Sequence, residues 1–490
     1  MRRVLSAVRF MLVWLRPVLA LTGTVLMRLR SALALMGPVL MRLRSALALM
    51  GPVLARLTRL PAKVMSGPPP PGPFRPTFWR SPVRGPWLTS VFGLLLLASI
   101  PVMFATGLLS YAAYNPDLSP VNDETSGKGL LGFYLFSWPT HPIWLYRLNQ
   151  GVHVTLGLVL VPVLLFKLWS VLPRLFEWPP LRSPAHALER LSLFALVGGA
   201  VFEFVTGILN IQTYYKFPGS FYPLHFYGAW VFIAGFVVHV TLKLPVMIKA
   251  LRSRNLITEL RTGLARTQPE PQDAGSLVAP RPDAPTISRR GILAFAGAGS
   301  ALVALLSVGQ SAGGPLRWAA LLAPHGQEPG RPDDFQVNQT AASAGIKGAQ
   351  TGAGWRLALS GDGPAGRPPV TLSRADLLAL EQHTASLPIA CVEGWSTDDQ
   401  EWAGVRLRDL ARMAGVSRPA SVLVQSLERG GAFSQVVLSA GQVMDPDSLL
   451  ALRVNGADLT PDHGYPARVI VPASPGVHCT KWVASLTFRS

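Results

Sequence analysis

Five apolar stretches, each near 20 residues, limit this chain more than any other feature. They run Trp87–Tyr111, Gly151–Leu172, Leu191–Asn210, Phe226–Met247 and Gly291–Gln310. About 20 apolar residues in a helix cross the hydrocarbon core of a bilayer. Lipid offers the backbone no hydrogen-bond partner, so each crossing segment must be helical. A composition with 49% hydrophobic and only 14% charged residues agrees. The expected architecture is multi-domain: an all-α transmembrane bundle of four spans over residues 87–254, an anchor span over 289–310, and an α+β domain over 333–490.

Charge gives the bundle a direction. Arg75, Arg80 and Arg84 precede the first span, and Asp117, Asp123 and Glu124 follow it. Lys167, Arg174, Arg182 and Arg190 lie around the second-to-third connection, and Lys243, Lys249, Arg252 and Arg254 end the fourth span. The positive-inside rule puts these basic clusters in the cytoplasm and the loops 112–150 and 211–224 outside. The fifth span then carries the C-terminal domain to the outer side of the cell membrane. The net charge of +19 is concentrated in this way: residues 1–86 hold fourteen Arg or Lys and no acid, while 333–490 hold 13 basic against 15 acidic residues. No folded basic domain is visible, which excludes nucleic acid as a partner and leaves membrane lipid.

Histidine inside a span is costly unless it has a task. His153 and His225 open the second and fourth spans, each with a glycine within about a turn (Gly157, Gly228), and His239 follows fourteen residues after His225. The two spans run in the same direction, so His153 and His225 start at one depth, where two imidazoles could serve as axial ligands of a b-type haem. Headgroup-level histidines without a ligand are the plainer alternative. His239 is a further candidate for haem iron; position 167, where its partner is expected, is a lysine. His141 and His186 are fallbacks, and pairing His141 with His225 and His153 with His239 would give two haems. Residues 86–250 weakly resemble bacterial membrane cytochromes b.

In the C-terminal third, Ile389-Ala390-Cys391-Val392-Glu393-Gly394-Trp395-Ser396 holds one of two cysteines in 490 residues. A loop thiolate can be a nucleophile, half of a disulfide (here with Cys479) or a soft metal ligand. This run resembles the molybdenum-binding loop of the sulfite-oxidase superfamily, in its methionine-sulfoxide-reductase branch. His463-Gly464-Tyr465-Pro466-Ala467-Arg468-Val469-Ile470-Val471-Pro472, followed by Lys481-Trp482-Val483, is similar to that superfamily's second motif. Phe335-Gln336-Val337-Asn338 is similar to its opening segment, so the likeness covers about residues 333–488. The resemblance implies a molybdenum-pterin cofactor with Cys391 as ligand and catalytic centre. It also implies Asn338, Arg468 and Lys481 on the pterin or its phosphate, His463 at the pterin, and Trp395 and Trp402 packing the pocket. The arginine-bearing loop of sulfite oxidases proper is absent, since Glu393 and Trp395 follow Cys391. Locally, Trp355–Leu359 and Ser421–Val424 read as strands and Ser373–Gln382 and Leu407–Met413 as helices, the first started by Ser373 with Asp376.

The remaining segments organise the chain. Residues 1–66 form a basic extension whose 22–63 portion repeats every fourteen residues, readable as an amphipathic surface helix or as low-complexity duplication. A Pro-rich linker follows at 67–86, and further linkers at 255–288 (flexible, cytoplasmic) and 311–332. Thr286-Ile287-Ser288-Arg289-Arg290-Gly291 resembles a twin-arginine export signal, implying that machinery and the general translocation machinery as partners; an ordinary positive flank is the alternative. No Gly-x-Gly-x-x-Gly dinucleotide motif is present on the inner side, which turns the electron partner toward quinone or quinol. The expected function is a membrane-bound molybdenum-cofactor oxidoreductase. It would exchange electrons through haem b between the quinone pool and a small extracytoplasmic substrate, an S-oxide or N-oxide being reduced. The alternatives are a sulfite-type dehydrogenase and a non-catalytic electron-transfer or assembly protein.

Overall fold

A computed structural model describes residues 67–122, 136–179, 184–211, 221–272, 277–321, 331–337, 339–362, 368–431 and 434–490. The fourteen-residue repeat and Asn338 lie outside the described residues. Residues 72–177 and 189–490 belong to one compact unit, and the described residues 67–71, 178–179 and 184–188 to another. In the latter, Trp178 Nε1 donates to the Gly67 carbonyl at 3.0 Å.

The N-terminal half is helical: α1 (Pro86–Ala113), α2 (Leu145–Leu175), α3 (Pro184–Asn210), α4 (Phe221–Arg252), the short α5 (Leu256–Arg261) and α6 (Arg289–Ala312). All but α5 contain a span long and apolar enough to cross a membrane. In no span is more than 28% of the most apolar window buried within the chain. Side chains such as Leu165, Val231 and Phe295 therefore point outward, an arrangement that suits lipid rather than water. The helices share a core of Trp87, Phe92, Leu160, Phe204, Phe232 and Ile292. The fifth span, α6, packs along α2: Ser300 Oγ donates to the Val159 carbonyl at 2.8 Å, and Gly299 has Pro162 against it. Arg147 Nε and Nη2 cap the C-terminus of α6 through the carbonyls of Ser311 and Ala312, both at 2.7 Å.

Residues 255–288, expected as a linker, carry α5 and a buried ion network. The Asn255 side chain caps α5 by accepting from Ile257 N at 2.9 Å. Arg254 meets Glu259 at 2.9 Å and Glu270 at 3.3 Å, and Arg289 meets Glu270 at 3.0 Å and Glu259 at 3.7 Å. Arg289 also donates to the Gln268 carbonyl at 3.0 Å and is 2% exposed, whereas Arg290 is exposed. Two acids and two arginines thus neutralise each other away from water, a demand that composition alone does not reveal.

The C-terminal part has two five-stranded sheets. The first runs β2 (Val370–Leu372), β1 (Leu357–Gly361), β10 (Val483–Arg489), β5 (Ser421–Ser426), β6 (Gln435–Ser439), with β1 and β10 parallel. In the second, β3 (His383–Leu387), β4 (Gln400–Arg406), β7 (Leu449–Val454) and β8 (Ala457–Asp458) follow in order, and β9 (Arg468–Ile470) also pairs with β7. The helix at Arg374–Ala379 begins at a capping box: Asp376 N donates to Ser373 Oγ at 3.1 Å, and Ser373 N to the Asp376 carboxylate at 2.8 Å. Leu357, Leu359, Leu407, Val422, Leu450 and Phe488 build the core between the sheets and the short helices.

The ion network generates a test. Arg289→Met strands two buried carboxylates on one remaining arginine, a loss on the order of 3–5 kcal/mol. The exposed Arg290→Met should stay within about 0.5 kcal/mol. Thermal unfolding of the purified protein should therefore show a midpoint several degrees lower for the first and unchanged for the second. Equal effects would assign the pair a role in which the two arginines are equivalent.

Candidate active site

Cys391 lies on the loop between β3 and β4, which the chain closes on itself. Thr397 N donates to the Ile389 carbonyl and Ile389 N to Thr397 Oγ1, both at 2.9 Å, while Cys391 N donates to the Trp395 carbonyl at 2.9 Å. Gly476 N donates to the Ala390 carbonyl at 2.7 Å, tying the loop to the segment before β10. The turn needs Gly394: its φ is +90°, and a Cβ there would lie 2.6 Å from Cβ of Val154 on α2.

One cleft gathers most of the predicted residues. Gln336, Cys391, His463, Arg468 and Lys481 line it, together with Cys479, Thr480 and Glu428. Cys391 and Cys479 are both buried free thiols, so they are not joined. Burial, then the charge of Glu393, pushes the Cys391 thiol well up; burial likewise raises Cys479. A thiol so placed ionises only when a cation takes its sulfur, as metal ligation requires. Glu393 is itself raised by burial, and its carboxylate accepts from Trp395 Nε1 at 2.6 Å.

Across the cleft, burial lowers Arg468 to about 10, and burial together with Arg468 lowers Lys481 to about 7. Lys481 Nζ donates to the carbonyls of Gln339 (2.5 Å) and Asp462 (2.9 Å), and Arg468 Nη1 to that of His463 (3.3 Å). Among the described residues neither cation has a carboxylate within salt-bridge range, and Arg468 Nε and Thr480 Oγ1 are buried without a partner. Buried cations and idle donors facing a soft sulfur fit a cofactor that brings both a metal and an anionic group. His463 is spoken for: Nδ1 meets Thr460 Oγ1 at 2.8 Å and Nε2 the Phe335 carbonyl at 3.3 Å, so it holds the opening segment at the cleft. Burial, then Arg468 and Lys481, lowers His463 to about 4.

A second site lies in the helices. The rings of His153 and His225 face each other at 6.2 Å between centroids, with planes at 87°. His153 Nδ1 lies 3.0 Å from both the Met103 carbonyl and Thr106 Oγ1; His225 Nδ1 lies 3.0 Å from Thr206 Oγ1 and 3.2 Å from the Glu203 carboxylate. Anchoring Nδ1 leaves Nε2 of each ring open toward the cavity, an arrangement that would suit a metal-bound imidazole. Two glycines make room, but they are Gly107 and Gly207, 3.2 and 3.3 Å from the imidazoles by their added Cβ. Gly157, which lines the same cavity, lies against Met103, and Gly228 against Glu203 and Phe202. Thr-Gly at 106–107 and again at 206–207, one helix before each histidine, is a sequence signal that the histidine spacing alone misses.

The alternative two-haem pairing does not form. His141 Nε2 is 3.1 Å from the Asp445 carboxylate, and His153 faces His225. His239, fourteen residues along α4 from His225, is about 21 Å further down the helix axis and lines a different cavity with Lys167. The His153–His225 cavity, of about 170 Å³, is also lined by Val392, the neighbour of Cys391. Gln150 Nε2 donates to the Val392 carbonyl and its Oε1 accepts from Ser110 Oγ at 2.7 Å. Neither Gln150 nor Cys479 carries a motif that would have marked it beforehand.

Residues 345–490 match the family described as Oxidoreductase molybdopterin binding domain. The chain is 35% identical over 120 residues to the uncharacterized oxidoreductase YuiH of Bacillus subtilis, covering 24% of this chain and 59% of that protein. It is 37% identical over 103 residues to nitrate reductase [NADH] of Volvox carteri, covering 19% and 12% of the two chains. With mitochondrial sulfite oxidase of Mus musculus it shares 30% identity over 154 residues, 26% and 28% of the two chains. The chain thus spans less than two thirds of the curated relatives it matches.

The cleft's charge makes a pH prediction for the full chain prepared without cofactor. Lys481 binds its proton less tightly folded (about 7) than unfolded (10.5), so the unfolded state holds more protons between these values and stability rises with pH. The raised thiols act oppositely above their ordinary value of 9.0. Unfolding midpoints should therefore climb from pH 7 to 8.5, by at most about 1.4 kcal/mol per pH unit. Lys481→Met should flatten that rise; an unchanged rise would place the titration elsewhere.

Proposed function

We propose that this protein is a membrane-bound molybdenum-cofactor oxidoreductase linked to quinone through haem b, a reading supported by the match of residues 345–490 to the oxidoreductase molybdopterin binding domain and by the likeness to sulfite oxidase. Cys391 would ligate molybdenum; Arg468 and Lys481, with Asn338, would hold the pterin and its phosphate; His153 and His225 would ligate the haem iron. The observation that carries the reading is the junction at Val392, which belongs to the Cys391 loop and at the same time walls the His153–His225 cavity. Two redox centres one residue apart in the wall between them can exchange electrons without a carrier protein. The C-terminal domain packs against the α1 and α2 ends that the charge distribution puts outside: Asn122 bonds both N and O of Val437 (2.8 and 2.7 Å), and Trp138 Nε1 donates to the Ala473 carbonyl at 2.6 Å. This supports a place in the cell membrane with the domain outside, exported through the signal at Arg289-Arg290.

When bound, the molybdenum pterin supplies two-electron oxygen-atom transfer. In the direction favoured here, R₂S=O takes up two electrons and two protons, the S=O bond breaks, and the oxygen leaves as water; an N-oxide balances identically. The loop after Cys391 lacks the arginine that would receive an anion such as sulfite, and Glu393, raised by burial, can hold a proton there. Trp395 fixes that carboxyl in place. The reverse reading, oxidation of sulfite with quinone as acceptor, draws on the likeness to sulfite oxidase.

Stopped-flow optical spectroscopy separates the directions. Pre-reduced haem should be reoxidised rapidly by methionine sulfoxide, whereas reduction of oxidised haem by sulfite, with sulfoxides inert, would establish the reverse. Cys391→Ser should keep the fold yet abolish turnover and the paramagnetic signal of the metal, because a hydroxyl is a poor soft-metal ligand. If Cys479→Ser did this and Cys391→Ser did not, the ligand assignment is wrong. His153→Ala or His225→Ala should each remove the low-spin haem spectrum, and a full spectrum in either refutes the pairing.

A further inference from the structure

A second intramembrane cavity, of about 280 Å³, lies between α1, α2, α3 and α4 below the His153–His225 pair. Its walls are largely apolar, but Lys167, Glu189, His239 and Lys243 all line it. Lys243 Nζ pairs with the Glu189 carboxylate at 2.5 Å, and Ser192 Oγ ties to the Glu189 carbonyl at 2.7 Å. Lys167 Nζ donates to the Thr89 carbonyl at 2.8 Å, in space that Gly93 leaves open, and among the described residues it has no carboxylate in salt-bridge range. An ammonium has three donors, so two remain for something in the cavity. Ionisable groups placed in a span without a structural partner mark a functional site.

Three side chains, Ile100, Phe204 and Phe232, line this cavity and the His153–His225 cavity alike. A flat molecule seated here is thus one layer of side chains from the upper pair. The occupant must be apolar over most of its surface, carry hydrogen-bonding oxygens for Lys167 and His239, and reach the site from the lipid.

We propose that this cavity is the quinol-binding site, a deepening that rests on the reading of the upper pair as a haem. Lys167 donates to one ring oxygen and His239 accepts from the other hydroxyl. Oxidation releases two electrons, which pass one at a time across the Ile100–Phe204–Phe232 layer, and two protons. His239 takes each proton in turn and passes it along the Glu189–Lys243 pair, so that both leave at the Lys- and Arg-rich end of the bundle. The electrons and protons released match the two of each that reduction of an S-oxide consumes.

The test uses the full-length holoprotein in lipid nanodiscs, with haem reduction by decylubiquinol followed optically. His239→Leu and Lys167→Met should each slow quinol-driven reduction at least tenfold. Haem content per chain, dithionite reduction and reoxidation by sulfoxide should stay at wild-type values. Unchanged quinol rates overturn the proposal. So does loss of part of the haem in His239→Leu, which would make the cavity a second haem site. A direct measurement on the unaltered protein guards against misfolded variants: an azidoquinone should photolabel residues of α2 or α4 facing this cavity, and labelling confined elsewhere overturns the site. Failure of the haem reading shows separately, as a wild-type protein without a haem spectrum.

Discussion

The closure of the Cys391 loop onto the helices is the constraint on which the rest of the arrangement depends. Gly394 presses against Val154, Gln150 bonds the Val392 carbonyl, and Ser396 N donates to the Gln310 carbonyl at 2.8 Å while its Oγ reaches the Ser311 carbonyl at 3.0 Å. Arg317 then bridges the Ser396 carbonyl (2.8 Å) and Asp398 (3.0 Å). These contacts engage α2 and the C-terminus of α6 at once. Each is short-range and directional, so a shift of either helix by about an ångström would break several of them together. The candidate metal ligand is therefore held by the long apolar helices as much as by its own domain.

The two candidate centres are prepared in opposite electrostatic ways. At the cleft, burial strips water from Arg468, Lys481 and the Cys391 thiol, and among the described residues no carboxylate lies within salt-bridge range of either cation, which leaves a charge demand that a bound anion and metal would meet. In the helices, each imidazole already has its outer nitrogen satisfied by a threonine and by a carbonyl or carboxylate, so only the inner nitrogen is left to a ligand. Unmet charge in one place and pre-satisfied orientation in the other both keep ligands in position before anything binds.

Much of this was readable from the residues. Apolar run length located the five long apolar helices to within about two turns, because a continuous apolar run of that length has a helix as its one backbone solution in lipid. The Ser373–Asp376 spacing announced a helix start, since a capping box is local. The Cys391, Arg468 and Lys481 motifs pointed to one cleft although 90 residues separate the first from the last. The glycines against the imidazoles were not legible: nearness in sequence pointed to Gly157 and Gly228, but a helix presents its small residues to the neighbouring helix, and the imidazoles rest on Gly107 and Gly207, while Gly157 lines the same cavity.

By itself, the sequence determined which segments are helical, which residues are candidates for metal-binding chemistry, and which family the C-terminal domain resembles, because run length, caps and motifs are local properties. Only the tertiary structure decided that Gly107 and Gly207 lie against the imidazoles, that Arg289 is buried among carboxylates, and that Val392 walls the histidine cavity. Those facts depend on how helices rotate and which loop they meet, and that is set by packing between residues hundreds of positions apart.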